Sequence, residues 1–254
     1  MYLTIQGIVL RVTDYNDKDA LLTLLTRRHG KLTVKARGLR RKNSPLVAPC
    51  QLLAYGEFTL FEYRGQYTIN EAQSLELFMP LRRDLTKLSL GTYFAQVSEV
   101  LSQEDLPNPE LQSLLLNCLY ALSGLNLPES QVKAVFELRA ACLSGYTPDL
   151  SGCHVCGNPA PERFDLSAGM LECRNCRSAD SGGIRLPVTP SELDAMRYIC
   201  FCGSKKLFSF QAGPDTLQQL SELTEAYLST QLERGFSTLD FYKSLGTSES
   251  IVCG

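Results

Sequence analysis

No stretch of this 254-residue chain is apolar for long enough to span a membrane as a helix. No basic, then apolar leader opens it either, because Met1 is followed by Tyr2-Leu3-Thr4-Ile5-Gln6, which reads as strand. The expectation is a soluble intracellular protein whose thiols stay reduced. Histidine is scarce, at two residues, and neither His29 nor His154 lies beside an evident nucleophile. There is no Gly-x-x-x-x-Gly-Lys-Ser/Thr loop to cradle phosphates and no Gly-x-Gly-x-x-Gly for a dinucleotide. Neither histidine begins the His-x-Glu of a zinc deaminase. Internal repeats and low-complexity tracts are missing too. Only an enzyme built from scattered carboxylates stays open, and the expectation is a protein that is not an enzyme.

Cysteine, by contrast, is plentiful, at ten residues. Cys153-His-Val-Cys156 is followed, after sixteen further positions, by Cys173-Arg-Asn-Cys176. Each Cys-x-x-Cys forms a knuckle that aims two sulfurs at one point, and two knuckles supply the four thiolates of a structural zinc site. Disulfides are disfavoured by the reducing compartment. A redox dithiol would open a helix after a strand, a setting neither pair has. One structural Zn²⁺ held by Cys153, Cys156, Cys173 and Cys176 is therefore expected, with His154 a bystander. Cys50, Cys118 and Cys142 lie in apolar patterns and read as small core residues, while Cys200, Cys202 and Cys253 carry no assigned role.

The net charge of −2 hides an uneven distribution. Residues 1–83 hold 13 Lys and Arg against 7 Asp and Glu, whereas residues 84–254 hold 12 against 20. Arg27, Arg28, Lys31, Lys35, Arg37, Arg40, Arg41 and Lys42 follow one another without an intervening acid. Cations this crowded repel one another unless a polyanion relieves them, so the segment is a candidate for binding nucleic-acid phosphate. Protection of a strand edge is the blander explanation. In Glu57-Phe-Thr-Leu-Phe-Glu-Tyr63, alternation puts Phe61 and Tyr63 on the more polar face. There they either stack bases, as in single-strand binders, or pack beneath later helices.

Strand periodicity runs from Tyr2 through two hairpins, with strands expected near 2–12, 20–26, 31–35, 51–63 and 66–77. A change of phase at Gly7, between Leu3-Ile5 and Ile8-Leu10-Val12, predicts a β-bulge there. Five strands led by a bulged first one fit a small barrel of the OB type. Beyond Pro80 the period becomes 3.6. Helices are expected over about 81–101, 111–122, 128–143, 190–202 and 214–232, with a further stretch at 237–244. Thr189-Pro190-Ser191-Glu192 combines an N-cap, a first-turn proline and a capping-box acid. The expected domains are a barrel over 1–80, an α-helical domain over 81–150 and 187–254, and an inserted cysteine module over 151–186.

This order of features resembles the bacterial RecO family of recombination mediators. Gly7-Ile-Val-Leu-Arg11, Asp19-Ala-Leu-Leu-Thr-Leu-Leu-Thr-Arg27, Lys35-Ala-Arg-Gly-Leu-Arg-Arg41, Phe136-Glu-Leu-Arg139 and Gly145-Tyr-Thr-Pro-Asp-Leu150 resemble its successive segments. The resemblance implies binding of single- and double-stranded DNA, annealing of complementary strands, and action with RecR in gap and break repair. It also implies contact with the acidic C-terminal tail of single-stranded DNA-binding protein, so that recombinase is loaded on the strand that protein covers. RecF is a further candidate partner, no membrane is involved, and the setting is the bacterial cytoplasm at the nucleoid. The rival reading is a zinc-containing OB adaptor that binds RNA or protein and has no repair role.

Overall fold

The computed structural model describes residues 1–176 and 183–249, so residues 177–182 of the expected cysteine module, and Cys253, lie outside the described residues. The chain divides into two compact units, Met1–Leu125 with Phe236–Gly254, and Asn126–Gly235. This division groups part of the expected helical domain with the barrel and the rest with the cysteine module.

In the first unit β1 (Tyr2–Asp14), β2 (Ala20–Thr26), β3 (Lys31–Ala36), β4 (Tyr55–Tyr63) and β5 (Gln66–Glu76) pair in the order β1-β2-β3-β5-β4, and β4 returns to β1. The β3–β5 contact is the parallel one that this closure requires. Strand β1 serves both sides: Tyr2 to Ile8 pair with β4, and Gly7 to Asp14 pair with β2. The bulge expected at Gly7 lies instead between Val9 and Arg11. Burial gives the reason. Ile5 and Val9 belong to the barrel core, yet Ile8 (0% exposed) and Leu10 (3%) are equally buried, and a helix packs on β1. Both faces of this strand are apolar, so alternation along the sequence could not locate the shift. The barrel is filled by inward side chains such as Leu22, Leu24, Val34, Phe58 and Leu60, and is plugged by Leu46, Cys50 and Ala54 from the loop before β4. Residues 51–54, expected as strand, form turns of that loop. Truncating the fully buried Phe58 to alanine should cost about 3–5 kcal/mol.

Helices α1 (Leu85–Leu101) and α2 (Pro109–Gly124) follow, each opened by a side-chain cap. Asp84 accepts from the Lys87 amide at 3.0 Å, and Asn108 from the Leu111 amide at 3.0 Å. Gln112 donates to the Leu25 carbonyl at 3.0 Å, anchoring α2 to β2. The last helix, α6 (Ser237–Glu249), is longer than the stretch expected and returns to α1, where Phe236 meets Tyr93 edge-on at 5.6 Å.

The second unit contains α3 (Glu129–Leu143), α4 (Pro190–Phe201) and α5 (Pro214–Gln231). The capping box at α4 is present: Thr189 donates its amide to Glu192 Oε2 at 2.7 Å, and Glu192 returns its own amide to Thr189 Oγ1. Between α3 and α4 lies a small sheet that periodicity did not announce. Its strands β6 (Asp149–Cys153), β7 (Arg163–Asp165), β8 (Met170–Glu172) and β9 (Arg185–Pro187) pair in the order β6-β8-β7-β9. Cys50 (2% exposed) and Cys118 (0%) are core residues as expected, but Cys142 is only half-buried.

Candidate metal centre and nucleic-acid interface

The four cysteines converge. The Sγ atoms of Cys153, Cys156, Cys173 and Cys176 all lie within 4.8 Å of one another. Cys153 ends β6 and Cys173 follows β8, so the parallel pairing of Cys153 with Leu171 brings the two knuckles together. The Cys173 amide donates to Cys153 Sγ at 3.4 Å, and the Asn158 side-chain amide to Cys173 Sγ at 3.1 Å. Burial of Cys153 favours its neutral thiol, but the amides of Cys156, Cys173 and Val155 outweigh burial and bring it down to about 6. Cys176, whose thiol donates to Cys156 and is partly desolvated, is pushed up to about 12. Four sulfurs this close cannot all be anionic unless a cation sits among them. At a metal–sulfur distance of about 2.3 Å, a tetrahedral site has sulfur–sulfur edges of about 3.8 Å. The Cys156–Cys173 separation of 3.9 Å matches that edge, so the donor set fits a closed tetrahedral metal site. His154 lies outside the cluster, with Nδ1 at 3.0 Å from the Leu171 carbonyl oxygen.

The eight cations do not form one patch. Arg27 and Arg28 occupy the β2–β3 turn, where with His29, Thr4, Gln6 and Glu57 they line an open cleft of about 570 Å³. That turn needs Gly30, because φ is +61° and a Cβ there would fall 2.4 Å from the Leu106 carbonyl oxygen. Arg37, Arg40, Arg41 and Lys42 lie in the loop after β3, at the far end of a strand about 17 Å long. Lys31 and Lys35 stand half-buried along the strand between them.

Three of the eight have partners inside the barrel unit. Lys31 donates to the Glu99 carbonyl at 3.0 Å, Lys35 lies 3.5 Å from Asp19 and over the Tyr15 ring, and Arg40 pairs with Asp14. Asp19 also accepts the Gly38 amide at 2.8 Å, and this bond, with those from Asn16 and Lys35, holds its carboxyl below the usual range. These two acids pin the loop against the β1–β2 turn. Gly38 lets the chain reverse at φ +68° while the Arg41 side chain lies 3.2 Å from the place of a Cβ. Among the described residues Arg27, Arg28, Arg37, Arg41 and Lys42 carry no acid partner, and all five are exposed.

Phe61 (40% exposed) and Tyr63 (59%) lie on the outer face of β4, not beneath a helix. Register aligns Lys35, Thr68, Phe61 and Tyr2 in one row across β3, β5, β4 and β1. Adjacent strands are about 4.8 Å apart, which puts Lys35 about 10 Å from Phe61 along the row. Tyr2 packs on Phe61 with ring centroids 5.3 Å apart, and Arg64 lies over the Tyr63 ring at 5.2 Å. Sequence reasoning missed Tyr2 and Arg64. Tyr2 could have been found from its parity with the outward positions of β1, Arg64 from its place in the β4–β5 turn.

A family model described as the N-terminal part of recombination protein O matches residues 1–78, and one for the C-terminal part matches residues 82–240. The chain belongs to the RecO family of DNA repair proteins. The DNA repair protein RecO of Acetivibrio thermocellus is 33% identical, over 96% of this chain and 97% of that protein. The namesake from Alkaliphilus metalliredigens is 29% identical over 96% of this chain and 100% of its own length. That of Bacillus pumilus is 30% identical over 89% and 88%. The two family models meet between Phe78 and Arg82, where the barrel ends and the helices begin, so the RecO halves correspond to the change of period in the sequence. Among the described residues no helix is long and apolar enough to cross a membrane.

Proposed function

We propose that this RecO-family protein is a DNA-binding recombination mediator, not an enzyme. It anneals complementary single strands and helps load recombinase onto strands covered by single-stranded DNA-binding protein, in gap and break repair. The observation that carries this reading is the row of Lys35, Thr68, Phe61 and Tyr2, flanked by the exposed cations Arg37, Arg41 and Lys42, which have no acid partner among the described residues. Cations next to exposed rings on one barrel face suit a strand whose phosphates are neutralised while its bases stack. Arg27 and Arg28, at the other end of β3, extend the basic surface. Neutralising two backbones at once lowers the repulsion that slows their encounter, and base pairing then drives the product.

The metal is one Zn²⁺ held by Cys153, Cys156, Cys173 and Cys176, a donor set of thiolates without an open position. It supplies cross-linking, not chemistry. Lys35 and Arg40 shape the loop as much as they attract phosphate, and Lys31 fixes β3 to the carbonyl end of α1. The partners of this role are single- and double-stranded DNA, RecR, the acidic tail of single-stranded DNA-binding protein, and RecF, in the cytoplasm at the nucleoid. The test is annealing of complementary oligonucleotides, bare and coated with single-stranded DNA-binding protein. Acceleration in both cases is expected. Binding of RNA in preference to DNA, with no annealing, would point to the adaptor role instead.

A further inference from the structure

A second pair of cysteines lies in the second unit, outside the four-cysteine cluster. Cys142 Sγ is 3.7 Å from Cys200 Sγ, although the residues are 58 positions apart. Each is one residue from the end of its helix, Cys142 in α3 and Cys200 in α4. Cys200 is buried at 7% exposure, whereas Cys142 is partly open to solvent. Arg139, one turn before Cys142, donates to the Cys200 carbonyl at 2.7 Å and also reaches that of Ile199. It thereby sets a positive charge at a helix end whose carbonyls would otherwise disfavour a thiolate. No third ligating side chain joins the pair among the described residues, which argues against a metal. The nearby Cys202 sulfur faces the Ile199 carbonyl instead, at 3.9 Å.

We propose that Cys142 and Cys200 are a peroxide-responsive dithiol that closes to a disulfide between the ends of α3 and α4. The sulfurs need to approach by about 1.7 Å to reach the bond length of about 2.05 Å, a shift within reach of side-chain rotation in the last turns of two helices. The contact with the Cys200 sulfur is the largest influence on Cys142; with Thr147 and Arg139 it outweighs burial and holds that thiol down to about 7. Cys142 is also the more accessible of the two sulfurs, Cys200 being buried, so Cys142 is the one that attacks. Its thiolate displaces hydroxide from hydrogen peroxide, breaking the O–O bond and becoming a sulfenic acid. The Cys200 sulfur then attacks that sulfenic sulfur, loses its proton and expels the oxygen as water. In sum two thiols and one peroxide give one disulfide and two waters, with two electrons passing from sulfur to oxygen. The loop so closed contains all of β6 to β9 and with them the four-cysteine cluster. Its closure restricts the unfolded chain just where an oxidant would attack a metal-binding thiolate cluster.

The purified full-length chain is treated with a few equivalents of hydrogen peroxide, alkylated, and digested without reductant for mass spectrometry. Released metal is followed by a chromogenic chelator. The expected product is a peptide pair joined through Cys142 and Cys200, two hydrogens lighter than its parts, reversed by dithiothreitol, and formed before metal is released. Its melting temperature should rise by several degrees. Cys142→Ser should abolish the cross-link and Cys202→Ser should leave it. Because Cys142 is not fully buried and serine is close to it in size, the serine variant is expected to fold, which circular dichroism checks directly. If the four-cysteine cluster oxidises first while Cys142 and Cys200 stay alkylated, or if Cys200 joins Cys202, the assignment is overturned.

Discussion

Replacement of Lys133 by methionine tests what joins α3 to α5. Lys133 is 3% exposed, and its ammonium lies 3.0 Å from Glu137 Oε1, 2.9 Å from Glu225 Oε2 and 3.1 Å from the Ser221 carbonyl. Glu137 is wholly buried and also accepts from the Thr224 hydroxyl at 2.8 Å. Methionine keeps the length of the stem and removes the ammonium that faces the Glu137 carboxylate. Breaking a buried pair in this way costs about 3–5 kcal/mol, or about two to three and a half orders of magnitude in the folding equilibrium. Glu225 contributes little to that cost, because it is a fifth exposed and can turn to water.

The sign of the pH dependence follows from Glu137. Burial raises its carboxyl above the ordinary value, while Lys133 and Thr224 oppose the shift. A carboxyl raised in the folded state adds stability that is complete below its unfolded value, about 4.3, and is lost as pH rises through the folded one. Removing Lys133 removes the chief opposing influence, so the folded value climbs further and the penalty grows with pH. Urea unfolding followed by circular dichroism, with the transitions of the two units fitted separately, should show a larger difference from the parent at pH 8 than at pH 5.5. Both proteins lose thiolate ligands alike on acidification, so that effect cancels in the difference. The double variant K133M/E137Q should recover most of the loss. A cost below about 1 kcal/mol, equal at both pH values, would refute this account of the network.

Reversal of Arg37, Arg41 and Lys42 to glutamate should weaken single-strand binding and reduce the slope of log affinity against log salt by about 2, measured by fluorescence anisotropy. The same change at Arg27 and Arg28 reports on the other end of β3, and unchanged slopes in both variants would remove the proposed interface. Phe61→Ala and Tyr63→Ala should each cost about 1–3 kcal/mol on single strands and little on duplex; equal losses on both would make the rings structural. Metal analysis should return one zinc per chain, released as falling pH protonates the thiolates and depleted by Cys173→Ser. Metal-free protein isolated at neutral pH under reducing conditions would contradict the tetrathiolate site.

Much of this was legible wherever local pattern and final environment agree. The period of two gave the five barrel strands, the period of 3.6 gave the helices, and Thr189 with Glu192 announced the start of α4. The cysteine spacing brought out a cluster because each knuckle is local and only their meeting is not. What escaped depends on register or on distant partners. Tyr2 joins Phe61 through the pairing of β1 with β4. Three-residue strands such as β7 and β8 are too short to show alternation, and Cys142 read as a core residue because its partner lies 58 positions away. The run of eight cations held no acid along the chain, yet Asp14 and Asp19 reach Arg40 and Lys35 across the sheet.

Those two acids bear on how a chain of net charge −2 can hold a polyanion. At physiological ionic strength the Debye length is about 8 Å, so phosphates in contact with Arg37, Arg41 and Lys42 sense chiefly the charges within that range. Asp14 and Asp19 lie within that range and lower the local field. They also fix the loop through Arg40, Lys35 and the Gly38 amide, so that its free cations are presented without ordering a long loop at each encounter. Asp19→Asn separates the two effects. It adds one positive charge and weakens the tether to Gly38 and Lys35. If preorganisation dominates, affinity for single strands falls despite the gain in charge. If the field dominates, affinity rises and the salt slope steepens. The tether made to Asp19 by both a backbone amide and a lysine favours the first outcome, and a rise in affinity would show the acid to be only a brake on binding.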